Sequence, residues 1–166
     1  ASGRGGARPI NVTIFFSLNA WSLPAKPGPG LAYNPPMEKP SSVFFFGTCL
    51  IDLLFPAAGL SAMRLLRREG IRVVFPPGQT CCGQPAWNSG YREEARKVAR
   101  VQLDAFGGDL PIVVPSASCA GMMREHYPQV FAGTPDEERA KSVAARVVEL
   151  TDFLVRVLDL RPEDLG

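Results

Sequence analysis

From residue 43 onward, short apolar runs alternate with amphipathic stretches, and this alternation restricts the possible fold more than any other feature. "VFFFGTC" (43–49), "IRVVFPP" (71–77) and "LPIVVPS" (110–116) read as three strands. Continuous apolar runs of this length suit strands covered by helices on both faces of a sheet. Residues 57–69 read as a helix, with Ala62, Leu65 and Leu66 inward and Arg64, Arg67 and Arg68 mostly outward, stopping at Gly70. Residues 91–106 read as a second helix, with Tyr91, Ala95, Val98, Ala99, Leu103 and Phe106 at helical spacing. "CAGMMREHY" opens a short third helix that is expected to end near Pro128. A last helix is predicted from Thr134 as N-cap, Pro135 at the first helical position and Glu137 completing a Thr-x-x-Glu box. Its buried stripe is Val143, Val147, Leu150, Leu154 and Leu158, with a break near Thr151 and Asp152. The order β-α-β-α-β-α-α implies right-handed crossovers and a parallel sheet, hence an open three-layer α/β domain over residues 41–166.

Residues 1–40 differ in kind. Seven prolines and five glycines fall there, a density associated with low-complexity segments. They are expected to form a poorly ordered tail, with "VTIFFSL" (12–18) as a stray strand and Met37 as a candidate natural start. The remaining composition, 46% hydrophobic and 20% charged, supports one globular core. A net charge of +2, with no basic run interleaved with aromatics, argues against nucleic acid as a partner. No apolar stretch approaches the roughly 20 residues that a membrane span requires.

The chain has four cysteines: Cys49, Cys81, Cys82 and Cys119. They are sparse for a secreted disulfide scaffold, and "VTIFFSL" lacks the flanks of a cleavable signal. A reducing, cytoplasmic compartment is therefore expected, with the thiols as ligands or catalysts rather than staples. Cys49 lies at the end of the first strand, Cys81 and Cys82 lie in the loop after the second, and Cys119 lies just past the third. In a parallel sheet these loops emerge at the same, C-terminal edge, where open α/β sheets bind ligands. Consecutive side chains of an extended strand point to opposite faces. Cys81 and Cys82 can serve one centre only if the chain turns there, and Pro76-Pro77-Gly78 and Gly83 supply the turn. Four convergent thiolates suit an iron–sulfur cluster or zinc. The short C-x(2–4)-C knuckles of structural zinc sites are absent, which leans toward a cluster and leaves zinc open.

"FFGTCLIDLLFP", "FPPGQTCCGQPAWNSGY" and "VVPSASCAGMMREHYP" together resemble the cysteine-rich CCG domain family over about residues 42–160. The family takes in lactate-utilization protein A, the iron–sulfur subunits of glycolate oxidase and of anaerobic glycerol-3-phosphate dehydrogenase, and the cysteine-rich component of heterodisulfide reductase. The lactate-utilization A branch is the most similar. The resemblance implies a redox subunit of a complex that oxidises L-lactate to pyruvate, with partner subunits that include a ferredoxin-like iron–sulfur protein. Glycolate or glycerol-3-phosphate oxidation is the related alternative, and a zinc-stabilised structural or scaffold domain is the alternative of a different class. Family members carry two such domains in tandem, so the chain is expected to be the N-terminal half of a longer protein. Met122 stands where the heterodisulfide reductase relatives have the last cysteine of a C-x-x-C. The resemblance therefore implies one four-cysteine [4Fe–4S]-type site rather than a non-cubane cluster.

Gln84, Asn88, Ser89, Ser116 and Ser118 flank the cysteines as candidate donors to cluster sulfurs, or as turn and capping residues. Trp87 and Tyr91 are expected to shield the site or to join the core. His126, the single histidine, is expected to be a surface or capping residue rather than a ligand. No histidine spacing supports a hydrolase, and no glycine-rich fingerprint supports nucleotide binding.

Overall fold

A computed structural model describes residues 38–164 of the chain; "VTIFFSL" and the rest of the Pro/Gly-rich segment up to Met37 lie outside them. Four strands form one parallel sheet in the order β2-β1-β3-β4. β1 is Ser42–Phe45, β2 Arg72–Val74, β3 Ile112–Val114 and β4 Val147–Glu149. Val43 of β1 pairs with Val73 of β2, Phe44 of β1 with Ile112 of β3, and Val113 of β3 with Val148 of β4.

The central strands are apolar on both sides because each side has its own helical layer. Phe46, Ile112 and Val114 pack with Ala99, Leu103, Phe106, Met122, Tyr127 and Val143. Val43, Phe45 and Val113 face the other way, against Ala62, Leu66, Ile71 and Phe153. One face is therefore covered by α4 (Arg92–Ala105), α5 (Ala117–Gly121), α6 (Tyr127–Val130) and α7 (Glu137–Arg146), and the other by α2 (Pro56–Arg68) and α8 (Leu150–Arg156). This is the expected open three-layer α/β architecture. None of its described helices is long and apolar enough to cross a membrane.

The structure corrects the predicted elements in three places. The final helix does not run on to Leu158. It stops at Arg146, and β4 intervenes before α8. Val143, Val147 and Leu150 fit a helical stripe, but Val147 and Val148 are β-branched, and the open edge of β3 offers them a ladder. The start of that helix also shifts. Asp136 is the N-cap of α7, so Pro135 precedes the helix. Thr134 accepts a hydrogen bond from the Asp136 N–H (3.3 Å), and the Glu137 carboxylate accepts one from the Gly133 N–H (2.7 Å). Third, the helical stretch around Cys119 ends at Val130, near Pro128 as expected, but it begins at Ala117 and is not one continuous α-helix. A π-helical turn, Met122–His126, joins α5 to α6, and Pro128 sits in the first turn of α6. The widened turn accommodates a residue that has no N–H to give.

Two further short helices lie beside the cysteines. α1 (Cys49–Leu54) follows β1 directly, and α3 (Gln84–Asn88) follows the cysteine pair.

Candidate metal centre

The strand order reverses direction at β1: the chain goes from β1 to β2 on one side, then returns past β1 to β3 on the other. Loops leaving the C-terminal ends of β1 and β3 diverge there, which leaves a crevice in a doubly wound sheet. Cys49 stands beyond β1 and Cys119 beyond β3, on either side of that point. Cys81 and Cys82 arrive from the loop after β2.

The sulfurs are arranged as two pairs. Cys49 Sγ lies 3.8 Å from Cys81 Sγ, and Cys82 Sγ lies 3.4 Å from Cys119 Sγ. The first pair is half-buried and the second is buried. Consecutive residues thus serve different partners, and the chain turns directly after them. Gly83 has φ +87°, a left-handed conformation in which an added Cβ would meet the Ala95 carbonyl oxygen at 3.2 Å.

Hydrogen-bond donors surround the sulfurs. The Gly83 N–H donates to Cys81 Sγ at 3.5 Å. The backbone of Leu50 serves Cys49, that of Gln84 serves Cys82, and the Ser116 and Ser118 hydroxyls serve Cys119. Electrostatics divides the buried pair. The hydrogen bond with Cys82, aided by the two serines, lowers the Cys119 thiol to about 6. Cys82 is raised by holding the shared proton and by burial. Burial, with Cys81 next, also raises Cys49. Cys82 thus donates to Cys119 within the inner pair, and backbone N–H groups face the other sulfurs.

Several residues hold these loops in place. Gln79 Oε1 accepts from the Gly47 N–H (2.8 Å), while its Nε2 donates to the carbonyls of Phe45 (3.2 Å) and Pro76 (3.1 Å). Fully buried Gln102 of α4 donates to Thr80 Oγ1 (2.8 Å) and to the Cys81 carbonyl (3.2 Å). Buried Tyr127 donates its hydroxyl to the Cys82 carbonyl at 3.0 Å. Thr48, at φ +28°, is one of two described non-glycine residues with positive φ, and its hydroxyl caps α1 by accepting from the Ile51 N–H. Such a conformation costs on the order of 1–3 kcal/mol and clusters at functional sites. A cleft of about 250 Å³ opens on Cys49 and Cys81, lined also by Thr48, Asp52, Leu53 and Phe75, with no cationic side chain among its lining residues.

The other sequence candidates fall at varying distances from the sulfurs. Ser116 and Ser118 face Cys119, and their hydroxyls lie 3.3 Å apart. Gln84 acts through its backbone, at the start of α3. Asn88 ends α3 and Ser89 caps it, and no described hydrogen bond joins either side chain to a sulfur. His126 stacks on Trp87 at 5.5 Å between ring centroids, and Arg92 lies over the Trp87 ring at 3.6 Å. Tyr91 is largely exposed. Sequence reasoning missed Gln79, Gln102, Thr48 and Tyr127.

Thiols with N–H and O–H donors beside them are the donor type that soft metals take. Among the described residues no three or more Cys, His, Asp or Glu side chains are gathered closely enough for a single ion.

Residues 43–124 match the cysteine-rich domain family CCG. Lactate utilization protein A of Geobacillus thermodenitrificans (strain NG80-2) is 49% identical over 125 residues, 75% of this chain and 51% of that protein. The protein of the same name from Shouchella clausii (strain KSM-K16) is 45% identical over 126 residues, 75% of this chain and 52% of that one. Lactate utilization protein A 2 of Bacillus cereus (strain Q1) is 47% identical over 117 residues, 70% of this chain and 48% of that one. The chain thus spans about half the length of the curated relatives it matches. No solved structure matches it.

Proposed function

Because residues 43–124 form a cysteine-rich domain of the CCG family, we propose that the chain is a redox component of a lactate-utilization system, holding an iron–sulfur cluster through Cys49, Cys81, Cys82 and Cys119. The observation that supports this reading is the pairing of all four sulfurs, each with its own donor, on loops that leave the C-terminal ends of β1, β2 and β3. A bound [4Fe–4S] cluster would supply one-electron storage for the two electrons released when L-lactate becomes pyruvate. The chain's own residues do the rest. The cysteines anchor the cluster, and the Leu50, Gly83 and Gln84 backbones with Ser116 and Ser118 stabilise negative charge on sulfur, which raises the potential. Among the described residues that line the cleft none is a cation that could hold a substrate carboxylate, which favours electron relay here and oxidation of lactate elsewhere in the assembly.

The chain then acts as one half of a longer cytoplasmic protein, alongside subunits that include a ferredoxin-like iron–sulfur protein. Exposed Leu50, Leu53, Leu54 and Phe55 on and after α1, which buries none of its residues, support a covered face beside the centre. Anaerobic purification tests the reading. About four irons per chain with broad visible absorbance are expected, and Cys82→Ser should abolish both. A colourless protein with stoichiometric zinc would replace the redox reading with a zinc-stabilised structural domain.

A further inference from the structure

The pairing of the sulfurs has a consequence beyond metal binding, although it rests on reading these cysteines as the metal-holding set. Each pair bridges two loops from different strands: Cys49 after β1 with Cys81 after β2, and Cys82 after β2 with Cys119 after β3. At 3.8 and 3.4 Å the sulfurs are within about 2 Å of the disulfide bond length of about 2.05 Å. Bonding the neighbours Cys81 and Cys82 would instead close a strained eight-membered ring, and each of them already faces another partner.

We propose that the metal-free domain is a two-stage oxidation switch, in which a peroxide joins Cys49 to Cys81 and Cys82 to Cys119. In each stage one sulfur attacks the peroxide O–O bond and becomes a sulfenic acid, releasing one water. The partner sulfur then displaces the sulfenic oxygen as a second water, forming the S–S bond. Two thiols lose two electrons and two protons, and one hydrogen peroxide accepts them. The stages are ordered by access. Cys49 and Cys81 line the open cleft, whereas Cys82 is 2% and Cys119 6% exposed. The fully oxidised domain has no thiolate left for metal. Loading is therefore confined to reducing conditions, and a thiol reductant reopens the site.

The test uses the full chain, metal-free and reduced, titrated anaerobically with hydrogen peroxide. Free thiols should fall from four to two and then to zero, one pair per equivalent of peroxide. Digestion without reductant, followed by mass spectrometry, should find Cys49–Cys81 first and Cys82–Cys119 second. Because Cys81 and Cys82 share a peptide, single variants resolve the pairing. Cys81→Ser should form only the 82–119 bond and Cys82→Ser only the 49–81 bond. A Cys81–Cys82 bond, a crossed 49–82 or 81–119 bond, or oxidation to acids without cross-links would overturn the proposal. Iron uptake by the reduced chain is measured separately. If the pairs form as mapped but no iron binds, the switch chemistry stands and the metal reading falls. If iron binds to the reduced chain but the mapped bonds never form, the reverse holds.

Discussion

A single amide, Gln79, fastens the loop after β1 to the loop after β2. It makes three hydrogen bonds, accepting from Gly47 and donating to Phe45 and Pro76. Each such bond contributes about 0.5–1.5 kcal/mol net. Gln79→Ala should therefore cost roughly 2 kcal/mol, read as a lower urea midpoint of the metal-free protein at unchanged slope. It should also slow iron uptake, since Cys49 and Cys81 then belong to independently moving loops. A midpoint shift equivalent to less than about 0.5 kcal/mol would mean that water replaces the amide and that the two loops are fixed by something else. The cysteines were legible in the sequence because topology alone sends the three loops to one edge. Gln79 was not legible, because a polar loop residue carries no periodicity to show which way it points. Gln102 left a readable trace. It lies seven residues after Ala95 and three after Ala99, on the buried stripe of α4, and a glutamine there demands internal partners. One of its side-chain atoms, Oε1, stays buried without a partner.

The turn between the cysteine pair and α3 is the element on which the site depends. Gly83→Ala places a methyl in a left-handed conformation, which costs on the order of 1–2 kcal/mol, and presses it against the Ala95 carbonyl oxygen. Gly90 has a similar φ, +84°, with open space around it. Thermal denaturation should therefore show a larger loss for Gly83→Ala than for Gly90→Ala, and only the former should reduce iron content. Equal losses in both would show that backbone conformation alone matters and that the close approach to α4 does not. A second element-level prediction concerns the exposed tie between α4 and α7. Asp136 sits between Arg100 (2.8 Å) and Arg139 (2.7 Å), and Arg100 foremost holds its carboxyl below the usual range. The folded pKa is depressed, so the stabilisation is present above the unfolded carboxylate pKa and is lost as pH falls through the folded one. Asp136→Asn should melt lower than the parent at neutral pH, and the two curves should converge in acid. A gap independent of pH would show that the loss does not come from the charge on the Asp136 carboxylate. Elements with a clean period, such as α2 and α4, were readable from sequence. β4 was not, because three valine and leucine positions satisfied a helical stripe while the choice between helix and strand was made by the free edge of β3, a partner distant in the chain.

For the molecule as a whole, the sheet separates a working edge from a structural one. Every proposed ligand follows the C-terminal end of β1, β2 or β3, and none follows β4. The opposite edge carries turns such as 107–110, which lead into β3. A cluster held by all four cysteines would cross-link three loops that are otherwise tied by Gln79, Gln102 and Tyr127. Ligand binding stabilises the native state by mass action, but amides that exchange by local opening respond only where the opening is itself restrained. Hydrogen exchange of the iron-loaded against the metal-free reduced chain should therefore slow over residues 46–54, 75–84 and 115–121. It should leave 107–110 unchanged, because those exposed amides open without disturbing the centre. Protection confined to 46–54 and 75–81 would mean that only the outer pair binds metal, and protection of 82–84 and 115–121 alone would assign it to the inner pair. Either pattern would break the four-ligand site into two half-sites and remove the geometric basis for a cluster, because a guest that grips one pair has no need of the loops that bring the other beside it.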